Sequence, residues 1–273
     1  MLRQKTRSEF ILSTKIGRVY NPFQGYPMDF DGSPWLGGLP FQSYFDYSSE
    51  GFERSYVDST LRLGLNRIDL LVIHDLDQGY HGKKIQQRLK ELESGVDWLK
   101  KMKTSGLIKG FGAGINDIQM MSVFMEHFDM DFFLVAMPYT LLDQSPLEGV
   151  FSLCKKREIS IIIGSPYASG ILAAGSKYKS TYGYIPATNE ILKKIKFIES
   201  ICRKFDVPLK AAALQFTLFH PLVSSVIPGM LKKDEVTENI QMIKHPIPEE
   251  LWIEMKKNGL LHHEAPVKLP VYK

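Results

Sequence analysis

The feature that most constrains this chain is a regular alternation of short apolar runs with longer amphipathic segments. Six runs are rich in β-branched or apolar residues and have the length of strands. They lie at residues 9–14, 68–74, 108–115, 131–137, 160–165 and 223–229. Strands that are apolar throughout are typical of parallel sheets covered by helices. The pattern therefore predicts an α/β protein, either a closed barrel or an open doubly wound sheet.

The segments between these runs have helical periodicity. Residues 53–64 form one of them, and Gly64 is typical of the position just after a helix. A second segment ends at Gly106 and carries an apolar stripe of Ile85, Leu89, Leu92, Val96, Leu99 and Met102. Further helices are predicted over residues 117–128, 145–156, 188–205, 208–219 and 232–243.

The choice between barrel and open sheet depends on one glycine-rich turn. An open sheet that binds a dinucleotide needs the spacing GxGxxG, and residues 111–117 (FGAGIND) do not supply it. A (β/α)8 TIM barrel is therefore favoured, but its units take roughly 30 residues each. Six strands with long connections indicate an incomplete barrel, with the first two βα units missing, as one domain over residues 1–273.

Composition excludes several classes of protein. Apolar residues make up 44% and charged residues 23% of the chain, which suits a packed soluble domain. The net charge of +4 is spread along the chain, so nucleic acid is not an expected partner. No run of about 18 apolar residues and no signal peptide is visible, which predicts a cytoplasmic protein without membrane attachment. Cys154 and Cys202 lie in apolar helical patterns and are expected to be buried, reduced thiols.

Polar side chains follow two of the predicted strands. The first strand leads into Lys15, and the second ends at His74 and Asp75. Because the carboxyl ends of barrel strands meet at one mouth, Lys15 and His74 should converge there. Neighbouring residues on a strand point to opposite faces, so His74 and Asp75 should not share one metal ion. An unrelated barrel enzyme with metal or hydrolytic chemistry at this pair is therefore the weaker alternative.

Several motifs occur in one order along the whole chain. They are STKIGR, RLGLNRIDLLVIHD, GFGAGIN, PYTLLDQ, GSPYASGILAAG and HPLVSSVIPG followed by EVTEN. In this order and spacing they resemble the aldo-keto reductase family, in particular its galactose, fucose and threo-aldose 1-dehydrogenase branch.

The resemblance implies hydride transfer between a nicotinamide cofactor, NADP or NAD, and the carbonyl or hydroxyl carbon of a small sugar or aldehyde. The family uses an Asp, Tyr, Lys and His tetrad without metal, and Lys15 and His74 match two of its members. Its Asp and Tyr belong to a segment that would precede Met1, and neither Asp75 nor Tyr20 matches them. General acid–base assistance contributes roughly 10²–10⁴-fold. We therefore expect this chain to be weakly active or inactive.

The resemblance also implies cofactor-binding residues. They are Asn116 near the carboxamide, then Ser165, Tyr167, Ser169, Gly170 and Leu172 along the nicotinamide and pyrophosphate, and Gly229, Lys232, Lys233, Glu238 and Asn239 around the adenosine. Lys232 and Lys233 could contact a 2′-phosphate, whereas Leu231 replaces a common arginine, so the choice between NAD and NADP stays open. The long aromatic connection over residues 18–52 is interpreted as a substrate-side loop with Trp35, Phe41, Tyr44 and Phe45 as pocket walls.

Two alternatives remain open at this point. The chain could be a non-catalytic, cofactor-binding or regulatory relative, because one fold serves many roles. It could also be a truncated gene product of a longer dehydrogenase. The substrate, the reaction direction and the oligomeric state are not determined by these patterns.

Overall fold

A computed structural model describes residues 2–26, 28, 30–31, 39–176, 181–183 and 185–269. The chain forms two compact units, residues 1–114 and residues 115–273. Both contain parallel strands that alternate with helices. All six predicted strand regions contain strands, so the α/β prediction is confirmed. One domain over residues 1–273 stays a prediction.

The first unit is built on three parallel strands in the order β1–β4–β5. Its strands are β1 (Ser13–Ile16), β2 (Arg18–Pro22), β3 (Phe41–Phe45), β4 (Leu70–Ile73) and β5 (Gly110–Ile115). Its helices are α1 (Ser49–Leu63), α2 (Gln78–His81) and α3 (Ile85–Thr104), with 3-10 turns at Leu2–Gln4, Arg7–Glu9 and Gly82–Lys84.

Local sequence explains the bounds of α1 and the buried face of α3. The Ser48 hydroxyl accepts a hydrogen bond from Gly51 N at the start of α1, and Gly64 ends the helix with a φ of 62°. Helix α3 buries the whole predicted apolar stripe. Burial of such side chains contributes about 1.5–3 kcal/mol each. Helix α1 packs against both α3 and β1.

Two sequence-based expectations for the first unit were wrong in detail. The first strand was expected from residue 9, but β1 begins at Ser13, because Leu12 N donates to the Asp69 carboxylate at 2.8 Å rather than to a neighbouring strand. The connection over residues 18–52 was expected to lack regular structure, but β2 and β3 pair antiparallel, Arg18 with Phe45 and Pro22 with Phe41. Val19 is the buried residue of β2, and the three residues that follow it in the strand are exposed.

The second unit has three parallel strands in the order β6–β7–β10. Its strands are β6 (Phe132–Ala136), β7 (Ser160–Gly164), β8 (Thr181–Tyr182), β9 (Ile185–Pro186) and β10 (Val223–Ile227). Its helices are α4 (Gln119–His127), α5 (Val150–Lys156), α6 (Ile171–Ala174), α7 (Asn189–Lys204), α8 (Leu209–Leu218), α9 (Lys233–Lys244) and α10 (Glu249–Lys257), with a 3-10 turn at Ser145–Glu148. Cys154 and Cys202 are free and buried, as predicted. Among the described helices, none combines the length and the apolar character that crossing a bilayer requires.

Candidate active site

The carboxyl ends of β1 and β4 bring Lys15 and His74 together in the first unit. Lys15 is paired in register with Val72, two residues before His74, and His74 N donates to Ile16 O at 3.0 Å. Lys15 Nζ lies 3.4 Å from His74 Nε2. An ammonium group and an imidazole thus share one strand-end position, as the parallel arrangement predicted.

Asp75 also faces this position, which corrects the expectation that His74 and Asp75 point to opposite faces. Asp75 Oδ2 lies 3.2 Å from His74 Nε2 and accepts a hydrogen bond from Arg18 Nη2 at 2.8 Å. The reason is local: β4 ends at Ile73, and Asp75 has a φ of 51°, in the left-handed region. Strand alternation therefore no longer applies to this residue, and its carboxylate turns back toward His74.

Arg18 is held between aromatic rings. Its guanidinium carbon lies 5.0 Å from the centroid of Phe45 and 5.8 Å from that of Tyr80. The side chains of Arg18 and Asp75 are 17% and 11% exposed, so their ion pair is screened far less than one at the surface. Arg18 was not among the residues predicted for the site. The KIGR sequence places it three residues after Lys15, which was a usable signal.

Tyr47 supports the backbone that carries His74 and Asp75. Its side chain is fully buried, and its hydroxyl lies 2.9 Å from His74 O and 3.2 Å from Asp75 O. The same hydroxyl lies 2.8 Å from His81 Nε2, which is 3.0 Å from Asp75 O. Tyr47 and His81 therefore hold the left-handed turn at Asp75. Neither residue was predicted from the sequence.

The environment shifts the ionisation of these groups. Burial, with the nearby charges of Lys15 and Arg18, lowers the pKa of His74 to about 3. Burial raises the pKa of Asp75, against the opposing charges of Arg18 and Lys15. Burial also raises the pKa of Tyr47 well above its usual range. His74 is therefore neutral near pH 7 and carries a single ring proton.

A cleft of about 180 Å³ opens beside Lys15 and His74. It is lined by Thr14, Lys15, Arg18, Tyr20, Ser55, Asp58, Ser59, Arg62 and His74. The lining is polar and carries three basic side chains. Tyr20 is part of this wall, although it does not match the tyrosine position of the family tetrad.

The three predicted pocket aromatics that the structure describes do not line this cleft. Phe41 and Tyr44 are exposed on the hairpin, and the Tyr44 hydroxyl accepts a hydrogen bond from Arg54. Phe45 packs against Tyr47 with ring centroids 5.9 Å apart. Trp35 lies outside the described residues. The pocket role of these four residues stays a prediction.

Within the described part of the chain, the ammonium group of Lys15 acts on Asp75 through its charge, which opposes the effect of burial on the pKa of that carboxyl. No carboxylate there forms an ion pair with its ammonium group, and no tyrosine hydroxyl there hydrogen-bonds to it. The imidazole of His74 is its recorded polar contact. Lys15 and His74 are thus brought together, and a tyrosine, Tyr20, and a carboxylate, Asp58, line the same cleft.

In the second unit, two of the residues predicted to bind cofactor are linked to each other. Tyr167 Oη donates to Asn239 Oδ1 at 2.6 Å, and both side chains are buried. Burial, with the charge of Glu238, raises the pKa of Tyr167 to about 12. Glu238 forms an ion pair with Lys210 at 2.6 Å. The hydrogen bond between Tyr167 and Asn239 joins the loop before α6 to the middle of α9.

The loop before α6 has an unusual backbone. Positive φ angles occur at Ser165 (52°), Ser169 (58°) and Gly170 (94°), and a Cβ at Gly170 would meet no atom within 4 Å. Leu172 is fully buried, so its side chain serves packing. The amides of Gly170 and Leu172 both donate to Tyr167 O, at 3.0 and 3.1 Å, so these N–H groups are already used within the loop.

The start of α9 is where the adenosine phosphate was expected. Gly229, Lys232 and Lys233 are exposed there. The Leu231 and Lys232 amides already donate to Glu235 Oε2, at 2.5 and 3.2 Å. A phosphate would have to displace this carboxylate or rely on the lysine ammonium groups. Asn116, expected near the carboxamide, is exposed just after β5.

Two comparisons with known sequences bear on this site. Pyridoxal 4-dehydrogenase of Microbacterium luteolum is 35% identical over 273 residues, covering 96% of this chain and 79% of that protein. D-threo-aldose 1-dehydrogenase of a Pseudomonas species is 32% identical over 263 residues, covering 95% and 78%.

Solved structures share the fold. A holo-form aldo-keto reductase of Bacillus halodurans has a TM-score of 0.65 and 22% identity, covering 100% of this chain and 76% of that one. The glycerol dehydrogenase of Gluconobacter oxydans has a TM-score of 0.66 and 15% identity, covering 96% and 76%. The fold is therefore that of (β/α)8 aldo-keto reductases.

The family model for aldo/keto reductases matches residues 1–258. This match does not support the expectation that two βα units are missing. The model covers most of the chain, and the two dehydrogenases each exceed 30% identity. The chain thus belongs to the aldo/keto reductase family of NAD(P)-dependent oxidoreductases.

Proposed function

We propose that this protein moves a hydride between a nicotinamide nucleotide and the carbonyl or hydroxyl carbon of a small aldose or aldehyde. The proposal is carried by the contact between Lys15 and His74. Their Nζ and Nε2 atoms lie 3.4 Å apart beside a polar cleft. The dehydrogenase names of the two relatives support this substrate class.

The chemistry of the two side chains suits a carbonyl group. When a carbonyl carbon is reduced, negative charge develops on its oxygen. The Lys15 ammonium stabilises that charge, and neutral His74 can donate its ring N–H to the same oxygen. In the oxidative direction the same groups hold the hydroxyl oxygen. The bound nicotinamide nucleotide would accept or supply the hydride.

The second unit offers groups that fit a nucleotide. Two ammonium groups, Lys232 and Lys233, stand at the start of α9, and a carboxylate and a buried amide, Glu238 and Asn239, follow on the same helix. We assign Asn116, Ser165, Tyr167, Ser169, Gly170, Leu172 and Gly229 to the same nucleotide, as the family motifs imply. The two lysines suit a 2′-phosphate, so we propose that NADP is accepted alongside NAD.

We further propose that the reaction is slow in this chain. Among the described residues, Lys15 forms no ion pair with a carboxylate and no hydrogen bond with a tyrosine hydroxyl. Without a poised proton donor, a loss of roughly 10²–10⁴-fold is expected. The same observation favours a second candidate, a relative that binds nucleotide without turnover.

Absorbance of reduced nicotinamide, with NAD⁺ or NADP⁺ and a panel of aldoses, tests the proposal. Slow turnover in the wild type that is abolished by Lys15→Met or His74→Gln would support it. Lys5→Met serves as a control, since Lys5 is exposed and outside the cleft. Nucleotide binding without turnover would instead establish the second candidate, and a rate typical of dehydrogenases would refute the slow reaction.

A further inference from the structure

One wall of the cleft beside Lys15 is a polar face of α1. Its residues follow the spacing that places side chains on one side of a helix, and they are Ser55, Asp58, Ser59 and Arg62. Helix α1 packs against β1, and Ser55 and Ser59 are only 4% and 3% exposed. Buried serine is uncommon in such a position, because apolar side chains normally fill the space between a helix and a sheet.

The two serine hydroxyls have protons available for a ligand. Ser55 Oγ accepts a hydrogen bond from Gly17 N, and Ser59 Oγ accepts one from Arg62 Nη2, each at 3.3 Å. Within the described part of the chain, neither hydroxyl donates to an acceptor. Buried polar groups are normally hydrogen-bonded, so both O–H groups suit a molecule in the cleft that offers oxygen acceptors.

The charges that line the cleft are unbalanced. Three basic side chains and one acidic side chain line it. The ion pair described above already uses the charge of Arg18, and Asp58 Oδ2 lies 3.8 Å from Arg54 Nε. Among the described residues, Lys15 and Arg62 form no ion pair with a carboxylate. Two such cations in one cleft favour a negatively charged ligand.

We propose that the substrate carries an anionic oxygen group, a phosphate or a carboxylate, which binds at Arg62 and the two serine hydroxyls. A guanidinium group binds such anions through parallel N–H bonds, and the hydroxyls add further donors. The Arg62 guanidinium carbon lies 6.0 Å from the ring centroid of Tyr20, which also lines the cleft. The substrate class is then an anionic aldose or aldehyde, with its carbonyl group at Lys15 and His74. This substrate class rests on the proposed function, whereas the anion site itself does not.

Calorimetry without nucleotide tests the anion site. The probes are glycerol 3-phosphate and glycerate, and glycerol is the neutral probe. In the wild type we expect at least one anionic probe to bind about tenfold more tightly than glycerol, with an affinity that falls as salt is added. The comparison of the two anionic probes shows whether phosphate or carboxylate is preferred. In Arg62→Gln, binding of the preferred anion should weaken about tenfold, because charge-assisted hydrogen bonds are lost.

Arg203→Gln is the matched control. Arg203 is exposed near the end of α7 and does not line the cleft, and the substitution removes the same charge. This variant should bind every probe as the wild type does. Ser59→Ala keeps the charge of the cleft and removes one hydroxyl donor, so it should weaken binding of the preferred anion by about fivefold.

Two results would overturn the proposal. One is a wild-type protein that binds neither anionic probe more tightly than glycerol, a measurement that needs no variant. The other is a folded Arg62→Gln protein, checked by circular dichroism, whose loss of affinity for the anion is no larger than that of Arg203→Gln. If turnover is measurable, Arg62→Gln should lower kcat/KM more for an aldehyde that bears the preferred anion than for glyceraldehyde. Absence of turnover in the wild type would defeat the proposed function alone, because the calorimetric result does not depend on activity.

Discussion

Substitution of Tyr47 by phenylalanine tests the idea that one buried hydroxyl supports the backbone of the site. The Tyr47 hydroxyl lies within hydrogen-bond distance of His74 O, Asp75 O and His81 Nε2, and the side chain is fully buried. Phenylalanine keeps the ring and its packing but leaves at least one buried carbonyl oxygen without this donor. Such a loss costs about 1–3 kcal/mol.

The effect should be visible in both chemical and thermal unfolding. A change of 1 kcal/mol shifts Tm by about 2–4 °C in chains of 150–250 residues, so a fall of about 2–12 °C is expected. The free energy of unfolding is measured with urea at 25 °C, followed by circular dichroism. The left-handed turn at Asp75 should loosen as well, which would speed amide hydrogen exchange at Asp75.

Tyr56→Phe is the matched control. Tyr56 packs against Trp98 with ring centroids 6.1 Å apart, and its hydroxyl forms no hydrogen bond with the described residues. Removal of that hydroxyl should change the stability by less than about 0.5 kcal/mol. The reasoning is refuted if Tyr47→Phe is as stable as the wild type, or if both substitutions cost the same.

Three further predictions concern separate sites. Tyr167→Phe should weaken NAD(P) binding about tenfold in calorimetry, because Asn239 Oδ1 loses its buried donor; unchanged affinity would contradict the assignment. Asp69→Asn should cost about 3–5 kcal/mol in urea unfolding, since Asp69 is fully buried and ion-paired with Arg7; a cost below 1 kcal/mol would argue against this anchor. The pKa of His74 lies at about 3 in the folded state and near 6.5 when unfolded, so the unfolded state binds more protons between these values. The stability that neutral His74 contributes is thus present above pH 6.5 and lost as the pH falls toward 3, and His74→Gln should flatten the unfolding free energy over this window.

Much of the fold follows from local patterns. The apolar stripe of α3 and the turn at Gly64 were both predictable, because periodicity and glycine preferences are local properties. The hairpin of β2 and β3 was not, because 18 residues separate its strands and no two-residue turn marks it. The delayed start of β1 depends on Asp69, which lies 57 residues away from Leu12.

The site residues also divide into those that local patterns predict and those that depend on distant parts of the chain. Lys15 and His74 could be predicted because strand ends converge in parallel sheets. Asp75 was missed because strand alternation was applied one residue too far, beyond the end of β4. Its residue type was the available signal, since aspartate tolerates the left-handed conformation better than most residues. Tyr47 reaches the site through tertiary contacts that no local pattern encodes.

Transfer of deuterium is the most direct test of the central claim, that Lys15 and His74 serve hydride transfer to or from a nicotinamide nucleotide. The protein is incubated at high concentration with NAD⁺ or NADP⁺ and an aldose deuterated at C1. The nucleotide is then analysed by mass spectrometry and NMR. We predict deuterium at C4 of the reduced nicotinamide in the wild type and in Lys5→Met, but not in Lys15→Met or His74→Gln. Deuterium transfer that is undiminished in both site variants, or absent from the wild type with every aldose and aldehyde tried, would contradict the account.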